Sequence, residues 1–479
     1  MRTVLTGLSV LALAGTAAAE TLKVPQQYAT IAEAAAAANE GDTIVVSKGV
    51  YFENVTFNQP SLRIVGKKAV IDGAPGTSHG TAFTVDGGGT TIQGFTFRNG
   101  STQLQINGSD CVVSKCRFDG PRGTGINAGG ASNTTVTDCV VLGPGSTGIL
   151  LGSGSVSRSS VRQGSAAGIV LFGPGASVDR CTVLLNSSGR AIEVTASPAT
   201  VTGNRVAGCA QGIRVNGDGA QVTGNSISRV GGGVGVQVFG SGALVSANAI
   251  VDAAGGVEVF GDSADILGNR VSGFNGEYYG IYVAGDDPAI GGNQVAHGYD
   301  SAVGIRAQSG SVAGGGFVDD NRVQDVDVGG IEISGTGIAV RRNRVAGCGN
   351  SRQRSGFRLD GTGHTIEDCS SDGNRDSGFV VSGSGHALRR CRAKGNTAFG
   401  FVLFGDDHAV DACVATGHGG AGLINLGMNL LLLDSTFLGN REDVSINPFG
   451  PATFSVASSG NTFVTGGLAE PSDIWQADD

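Results

Sequence analysis

The sequence predicts an all-β protein, a single-stranded right-handed parallel β-helix in which the chain winds into stacked coils. Three observations predict it. A short pattern recurs about every 22 residues: an apolar residue, two further residues, Asn or Cys, one more residue and a second apolar residue. Between its copies lies a second pattern, glycine–apolar–any–apolar, as at 235–238 and 280–283. Glycine makes up 83 of the 479 residues, which suits a chain that turns every few residues.

The Asn or Cys of the first pattern marks one fixed place in each coil. The markers are Cys116, Cys139, Cys181, Asn204, Asn225, Asn248, Asn269, Asn293, Asn321, Asn343, Cys369, Cys391 and Cys413. We expect stacked Asn side chains to bond from coil to coil and to pair turn backbone groups that would otherwise be buried unpaired. The small, apolar Cys fills the same inward place without needing a partner.

The alternation of apolar residues at period two indicates half-buried strands, so each repeat holds two or three strands of a few residues. No window keeps a helical period across a whole repeat, and a propeller blade needs about 40 residues. We therefore expect about 16–18 coils of about 22 residues. Each strand then lies about 4.8 Å from its counterpart in the next coil.

The chain divides into three predicted parts. Residues 1–19 are typical of a cleaved signal peptide, because a positive start precedes a short apolar run and small residues. Residues 20–465 form the predicted β-helix, with a capping helix near 30–39 that Thr30 and Glu33 begin as a capping box. Residues 466–479 are an acidic tail. The expected location is secreted or periplasmic, with no transmembrane segment.

Composition limits the partners. The chain carries 32 Lys and Arg against 41 Asp and Glu, a formal net charge of −9. Such a balance argues against a nucleic-acid partner, whose affinity depends on cationic neutralisation of phosphates. The nine cysteines are expected to be buried, unpaired thiols, because most occupy the inward marker position and Asn replaces them between coils.

One stretch of sequence is similar to a known family. The segment TIAEAAAAA at 30–38, then GDTIVVSKGVYFENV at 41–55, then stacked VTGN and glycine-led coils, resembles the pectin-lyase-like superfamily of right-handed parallel β-helices. The likeness is greatest to bacterial parallel β-helix repeat proteins of the NosD-like kind and covers about 22–465. It implies the fold and leaves function open, because that superfamily holds lyases, hydrolases, epimerases, esterases and non-catalytic proteins.

The middle residue of the glycine-led pattern is predicted to point outward. Along the axis of the predicted β-helix these residues are polar or charged from Glu193 to Arg358, and aromatic residues occupy neighbouring outward positions. The candidate substrate-binding residues are Glu193, Arg214, Gln237, Phe239, Phe260, Tyr279, Glu332 and Arg358. Arg binds carboxylates, acids and amides bind hydroxyls, and rings stack on sugars, so we expect an extended, uronate-containing polysaccharide. The alternative is a solvated strand face on which opposite charges stabilise neighbours.

Glu258, Tyr282 and Arg306 are the candidate catalytic residues, on successive coils. A lyase or epimerase needs a uronate neutralised by Arg or by a metal, plus a base. Glu258 and Glu332 lie three coils apart, on the order of 14 Å. That exceeds the roughly 5–9.5 Å of a glycosidase carboxylate pair, so lyase-like chemistry is favoured over hydrolysis.

No cofactor is required by this hypothesis, although Ca²⁺ is a candidate at Asp286 and Asp287. His364, His386 and His408 recur at 22-residue steps and form either a site for copper or another metal or a stacked ladder at a turn. The alternative to a carbohydrate-binding or carbohydrate-active protein is a non-catalytic periplasmic or surface rod that contacts other macromolecules.

Overall fold

The computed structural model describes residues 18–73, 80–185, 189–275, 278–310, 315–349, 355–446 and 456–464. They form a right-handed parallel β-solenoid of about 19 turns, slightly more than the 16–18 expected. The predicted signal peptide lies outside the described residues except for positions 18 and 19, and the predicted tail 466–479 lies wholly outside them.

Most coils contain three short strands, here called the first, second and third strand. The first strands form one parallel sheet: Thr21–Val24, Thr43–Val46, Arg63–Gly66, Thr91–Gln93, Val112–Ser114, Thr134–Thr137, Gly154–Ser157, Ser177–Asp179, Thr200–Thr202, Gln221–Thr223, Leu244–Ser246, Asp265–Leu267, Ala289–Gly291, Phe317–Asp319, Ala339–Arg341, Thr365–Glu367, Ala387–Arg389, Ala409–Asp411, Leu430–Leu433 and Val456–Ser459.

The second and third strands together form the other sheet. The second strands are Gly49–Tyr51, Ala69–Asp72, Thr96–Arg98, Arg117–Asp119, Val140–Leu142, Ser160–Arg162, Thr182–Leu184, Arg205–Cys209, Arg270–Phe274, Gln294–Gly298, Arg322–Val326, Arg344–Ala346, Ser370–Asp372, Arg392–Lys394, Val414–Thr416, Thr436–Leu438 and Thr462–Val464.

The third strands are Val55–Phe57, Thr81–Val85, Thr102–Ile106, Thr124–Ala128, Thr147–Leu151, Ala167–Leu171, Arg190–Thr195, Gln211–Asn216, Tyr279–Ala284, Val303–Gln308, Gly329–Thr336, Phe357–Thr362, Phe379–Ser384, Phe401–Phe404, Ala421–Asn425 and Glu442–Ile446. In two coils the second and third strands are continuous, as Ser226–Phe239 and Ala249–Phe260.

The core is the column of inward side chains that the period-two pattern predicts. Val201, Val222 and Val245 occupy equivalent positions of successive first strands and are fully buried. Near the C-terminal end, the rings of Phe357 and Phe379 stack at 4.6 Å between centroids. Because each coil buries its apolar face against its neighbours, stability comes from stacking along the rod.

The glycine of the glycine-led pattern has a steric reason. A Cβ on Gly280 would collide with the side chain of Val295 and lie 2.6 Å from the carbonyl oxygen of Gly304 in the next coil. Glycine is therefore the residue that fits at the start of this third strand, because the second and third strands of the next coil pass close to its Cα.

The predicted Asn ladder is present and buried. The Asn248 Oδ1 accepts hydrogen bonds from the backbone N–H of Asn225 at 2.9 Å and from its Nδ2 at 2.9 Å. The Asn248 Nδ2 in turn donates to the carbonyl oxygen of Val222 at 2.8 Å. The same three bonds recur at each step from Asn204 to Asn321, so the ladder pairs backbone groups inside the turn.

All nine cysteines are buried free thiols, which confirms the prediction. Burial raises the pKa of the Cys391 thiol well above its ordinary value, and hydrogen bonds with Cys369 and Cys413 raise it further. Six of these thiols pack as small apolar groups in the marker position of the coils, and Cys111, Cys209 and Cys348 are buried at other positions.

One α-helix is described, Ile31–Ala37. Thr30 is its N-cap: the Thr30 side chain accepts from the backbone N–H of Glu33, and the Glu33 carboxylate accepts from that of Thr30. The capping box is therefore formed as the sequence predicted. Ile31 and Ala34 of the helix are fully buried against the first coils.

Candidate functional site

The predicted outward residues of the third strands lie in one continuous row. Adjacent members are direct partners in the parallel register: Glu193 with Arg214, Arg214 with Gln237, Gln237 with Glu258, Glu258 with Tyr282, Tyr282 with Arg306, Arg306 with Glu332 and Glu332 with Arg358. We call these eight residues the third-strand row. Neighbours are about 4.8 Å apart along the rod, so the row is on the order of 34 Å long.

Glu258 lies at the middle of the row and is more covered than its outward position predicts. Its exposed fraction is 8%. Gln237 from the preceding coil donates from Nε2 to the Glu258 Oε2 at 2.9 Å. Burial raises the pKa of the Glu258 carboxyl, while the hydrogen bond from Gln237 works in the opposite direction.

Four aromatic rings run beside this carboxylate. Phe239 and Phe260 stack with 5.0 Å between their ring centroids. Phe260 and Tyr282 meet edge to face, with 5.6 Å between centroids. Tyr282 stacks on Tyr279 at 4.8 Å. Burial raises the pKa of the Tyr282 hydroxyl, which the nearby Arg306 opposes. The rings make an apolar, ordered strip on an otherwise polar face.

Arg306 joins the aromatic strip to the acidic part of the row. Its NH1 group donates to the hydroxyl of Tyr279 at 3.0 Å, and its guanidinium carbon lies 5.6 Å from the centre of that ring. The same NH1 lies 3.7 Å from the Glu332 Oε2. The Arg306 side chain is one-third exposed, and its register partner in the preceding coil is Tyr282.

The two ends of the row are ion-paired. Near Glu193, the Arg190 NH1 lies 2.7 Å from the Glu193 Oε1. At the other end, the Arg358 Nε lies 2.8 Å from the Asp360 Oδ2, and this hydrogen bond raises the pKa of the Arg358 guanidinium.

Arg214 and Glu332 complete the row between its ends and its centre. The guanidinium of Arg214 lies over the ring of Phe239 at 4.9 Å. Glu332 is 7% exposed, and its register partners in the two adjacent coils are Arg306 and Arg358. Every predicted binding residue is therefore in or beside the row.

The tentative metal pair lies outside the row, at a turn. The backbone N–H of Asp286 donates to Asp262 Oδ1 at 2.8 Å, and Asp286 Oδ1 accepts from Ser309 Oγ at 2.6 Å. Asp287 has a positive φ of 57°. Across the described residues, no group of three or more His, Cys, Asp or Glu comes together, whereas Ca²⁺ takes six to eight oxygen ligands. The calcium hypothesis stays a prediction without support from this geometry.

The histidine column is a stacked ladder. The Nδ1 atom of His386 accepts from the backbone N–H of His364 at 3.1 Å, and its Nε2 lies 3.2 Å from the carbonyl oxygen of Ser382. Adjacent imidazoles stack at 5.0 and 5.2 Å. Both ring nitrogens are thus occupied in a buried turn, which favours the ladder over the copper alternative. Burial and the neighbouring His364 and His408 lower the pKa of His386 to about 4.

A second inward ladder was missed from the sequence. The backbone N–H of Asn374 donates to the Asn396 Oδ1 at 2.9 Å, that of Asn396 to the His418 Nδ1 at 3.0 Å, and that of His418 to the Asn440 Oδ1 at 3.1 Å. The available signal was the Gly-Asn or Gly-His pair recurring at 22-residue steps from 373 to 440.

The chain matches one protein family and resembles several solved structures. It belongs to the family whose model is described as the right handed beta helix region, which matches 47–206, 167–296, 211–345 and 279–441. No curated protein shows significant similarity to it. Within the described part of the chain, no helix has the length and apolar character that crossing a membrane requires.

Several solved β-helices superpose on this chain at low similarity. The PL6 family alginate lyase AlyGC is 10% identical, with 93% of this chain and 100% of that chain covered and a TM-score of 0.30. The periplasmic alginate epimerase AlgG is 10% identical, with coverage of 68% and 77% and a TM-score of 0.30. A GH87 alpha-1,3-glucanase from Streptomyces thermodiastaticus is 14% identical, with coverage of 91% and 66% and a TM-score of 0.26. Values this low give no indication of function.

Proposed function

We propose that the third-strand row binds an extended, uronate-containing polysaccharide and acts on it as a lyase or epimerase. The observation that carries the proposal is the alignment of Glu258, Tyr282 and Arg306 as direct register partners beside stacked aromatic rings. Rings offer faces to sugars, Arg306 offers donors to a uronate carboxylate, and acids and amides bind hydroxyls.

The three central residues suit β-elimination. Arg306 neutralises the uronate carboxylate, and Glu258 removes the proton at C5 as a base whose raised pKa makes it stronger than an ordinary carboxylate. The C4–C5 double bond forms as the C4–O bond breaks. Tyr282 is protonated at neutral pH, as a Tyr hydroxyl ordinarily is and as its raised pKa favours further, and it protonates the leaving oxygen. An epimerase would instead return a proton to the opposite face of C5.

Two-carboxylate hydrolysis does not suit this row. Three register steps separate Glu258 from Glu332, through Tyr282 and Arg306, which is on the order of 14 Å. Glycosidase pairs lie within about 9.5 Å.

The test is a panel of pectate, alginate and glycosaminoglycan assayed for binding and for an unsaturated product that absorbs in the near ultraviolet. Glu258→Gln and Tyr282→Phe should retain binding and lose turnover by roughly 10²-fold or more, because the rings and amide contacts remain. Arg306→Gln should weaken binding, whereas Arg180→Gln, at an exposed turn far from the row, should not. No binding to any of the three polymers would refute the proposal.

The second candidate is a non-catalytic rod. It is favoured by the ion pairs that satisfy charges within or beside the row, Arg306 with Glu332 and Arg358 with Asp360. Under this hypothesis the row stabilises the sheet, and Arg306→Gln costs a few tenths of a kcal/mol in the free energy of unfolding and changes no glycan binding.

The N-terminal part of the chain has two further proposed roles, export and coverage of the first coil. We infer that residues 1–19 direct export, on the sequence pattern alone. We also infer that the helix Ile31–Ala37 covers the open edge of the first coil, because its buried face packs there and an uncovered sheet edge invites aggregation.

A further inference from the structure

The second strands carry a basic row on a different face of the rod. Its members are direct register partners in six successive coils: Arg270, Gln294, Arg322, Arg344, Ser370 and Arg392. Each precedes a buried inward residue, such as Val323 after Arg322, so the row points outward, and its four arginines are exposed. We call it the second-strand basic row.

Among the described residues, its arginines make none of the ion pairs that many arginines elsewhere on the rod make. Ten arginines elsewhere make ion pairs, as Arg158 does with Asp138 at 2.9 Å. In the described part of the chain, none of the four arginines of the basic row is in an ion pair, and Arg322 has only a hydrogen bond to Gln324 at 3.2 Å. A protein of net charge −9 thus keeps uncompensated positive charge along one narrow line.

When no ligand is bound, the like charges of this row lower the stability of the folded protein. Arg322 and Arg344 are direct partners across adjacent strands, and like charges directly opposite each other destabilise a sheet. Asp372, on one side of the row, lies near Arg344, Arg392 and Lys394, and the exposed Asp320 and Asp368 stand at the turn on its other side. An anionic ligand would supply the countercharge that the fold leaves out.

The surface beside the row is shaped for small polar groups. A cavity of about 270 Å³ opens between two coils, lined by Gln294, Val295, Ala296, Arg322 and Gln324. Its polar lining consists of Arg322 and the side-chain amides of Gln294 and Gln324, beside the small Ala296. Carboxylate and hydroxyl groups of a sugar ring match such a lining.

We propose that the second-strand basic row is a second binding surface, for a linear acidic polysaccharide that runs along the rod. The line of charge is one side chain wide and about 24 Å long, from the coil spacing of about 4.8 Å. Its flanking residues Ser272, Ala296 and Gln324 give neither aromatic rings for nucleic-acid bases nor large apolar groups for a membrane. The proposal does not depend on the third-strand row binding anything.

The experiment is calorimetry with short oligoguluronate on the full chain, comparing Arg322→Gln/Arg344→Gln with the charge-matched control Arg158→Gln/Arg180→Gln. We expect about two oligomers per chain for the unchanged protein and about one for the Arg322→Gln/Arg344→Gln variant, with affinity at the second site reduced about tenfold or more. The control should match the unchanged protein. If the third-strand row binds nothing, the unchanged protein takes about one oligomer and the basic-row variant binds none. Failure of the proposed function is therefore distinguishable from failure of this inference.

Three results would overturn this inference. Equal binding by the basic-row variant and the unchanged protein would remove the site. An equal loss in the control would show a general effect of charge. Tighter binding of double-stranded DNA or of anionic phospholipid vesicles than of oligoguluronate, lost in the basic-row variant, would assign the face to a different partner. Circular dichroism spectra matching the unchanged protein establish that each variant is folded.

Discussion

The Glu258 carboxylate is held by the neutral amide of Gln237 at 2.9 Å, whereas Glu332, three coils further on, faces the guanidinium of Arg306 at 3.7 Å. Two buried glutamates of one row thus have different electrostatic partners. A buried carboxylate without a cation is costly to the fold when it is ionised, and this arrangement is typical of functional acids and bases.

Glu258→Gln should therefore stabilise the protein at neutral pH. The pKa of Glu258 is raised in the folded state, so its contribution is fully present below the unfolded pKa and is lost as pH rises through the folded pKa. The urea midpoint of Glu258→Gln should exceed that of the unchanged protein at pH 7, and the two should converge at pH 4. Glu367→Gln, which loses ion pairs with Arg341 and Arg389, should show no gain. A lower midpoint for Glu258→Gln at pH 7 would contradict this account of the site.

The histidine ladder should make the protein acid-sensitive. The pKa of His386 is lowered to about 4 from an ordinary value near 6.5, so the stability it contributes is complete above pH 6.5 and is lost as pH falls toward 4. The full effect is on the order of 3 kcal/mol.

His386→Asn tests this directly, since the Asn Oδ1 can still accept from His364 but does not titrate. Urea unfolding between pH 7 and 4 should show a shallower pH dependence for this variant. The same slope in the variant and in the unchanged protein would disprove the ladder's role.

Removal of one ladder amide should be strongly destabilising. Asn248→Ala leaves the Asn225 backbone N–H and the Val222 carbonyl oxygen without their partners inside a buried turn. Two such losses cost about 2–4 kcal/mol in the free energy of unfolding. Asn107→Ala, at an exposed position, should cost less than about 1 kcal/mol. Chemical denaturation compares them, and equal midpoints would contradict the structural role of the ladder.

The nine thiols should be unreactive until the solenoid opens. All are buried, so a reagent cannot reach them in the folded chain, and the pKa of Cys391 is in addition raised well above its usual value. An aromatic disulfide reagent should label none of them in the native protein and all nine after denaturation in urea. Rapid labelling of a native thiol, or fewer than nine after unfolding, would indicate an open coil or a disulfide.

The register of the site was predictable because a repeat of about 22 residues makes Glu258, Tyr282 and Arg306 lateral neighbours whatever the details of the turns. The burial of Glu258 was not, because it depends on where the long side chains of adjacent coils lie. The second ladder was missed because its amides stand in the turn after the second strand and His418 interrupts the asparagines.

The most direct test of the proposed function is the affinity of the protein for oligouronates of increasing length. If the aligned row binds one extended chain, affinity should rise with each added ring until the oligomer spans about 34 Å, from Glu193 to Arg358, and then level off. In Phe260→Ala the affinity should stop rising at a shorter oligomer length, because this variant interrupts the strip of rings. Affinity that is independent of length, or unaffected by Phe260→Ala, would contradict a binding site built along the rod.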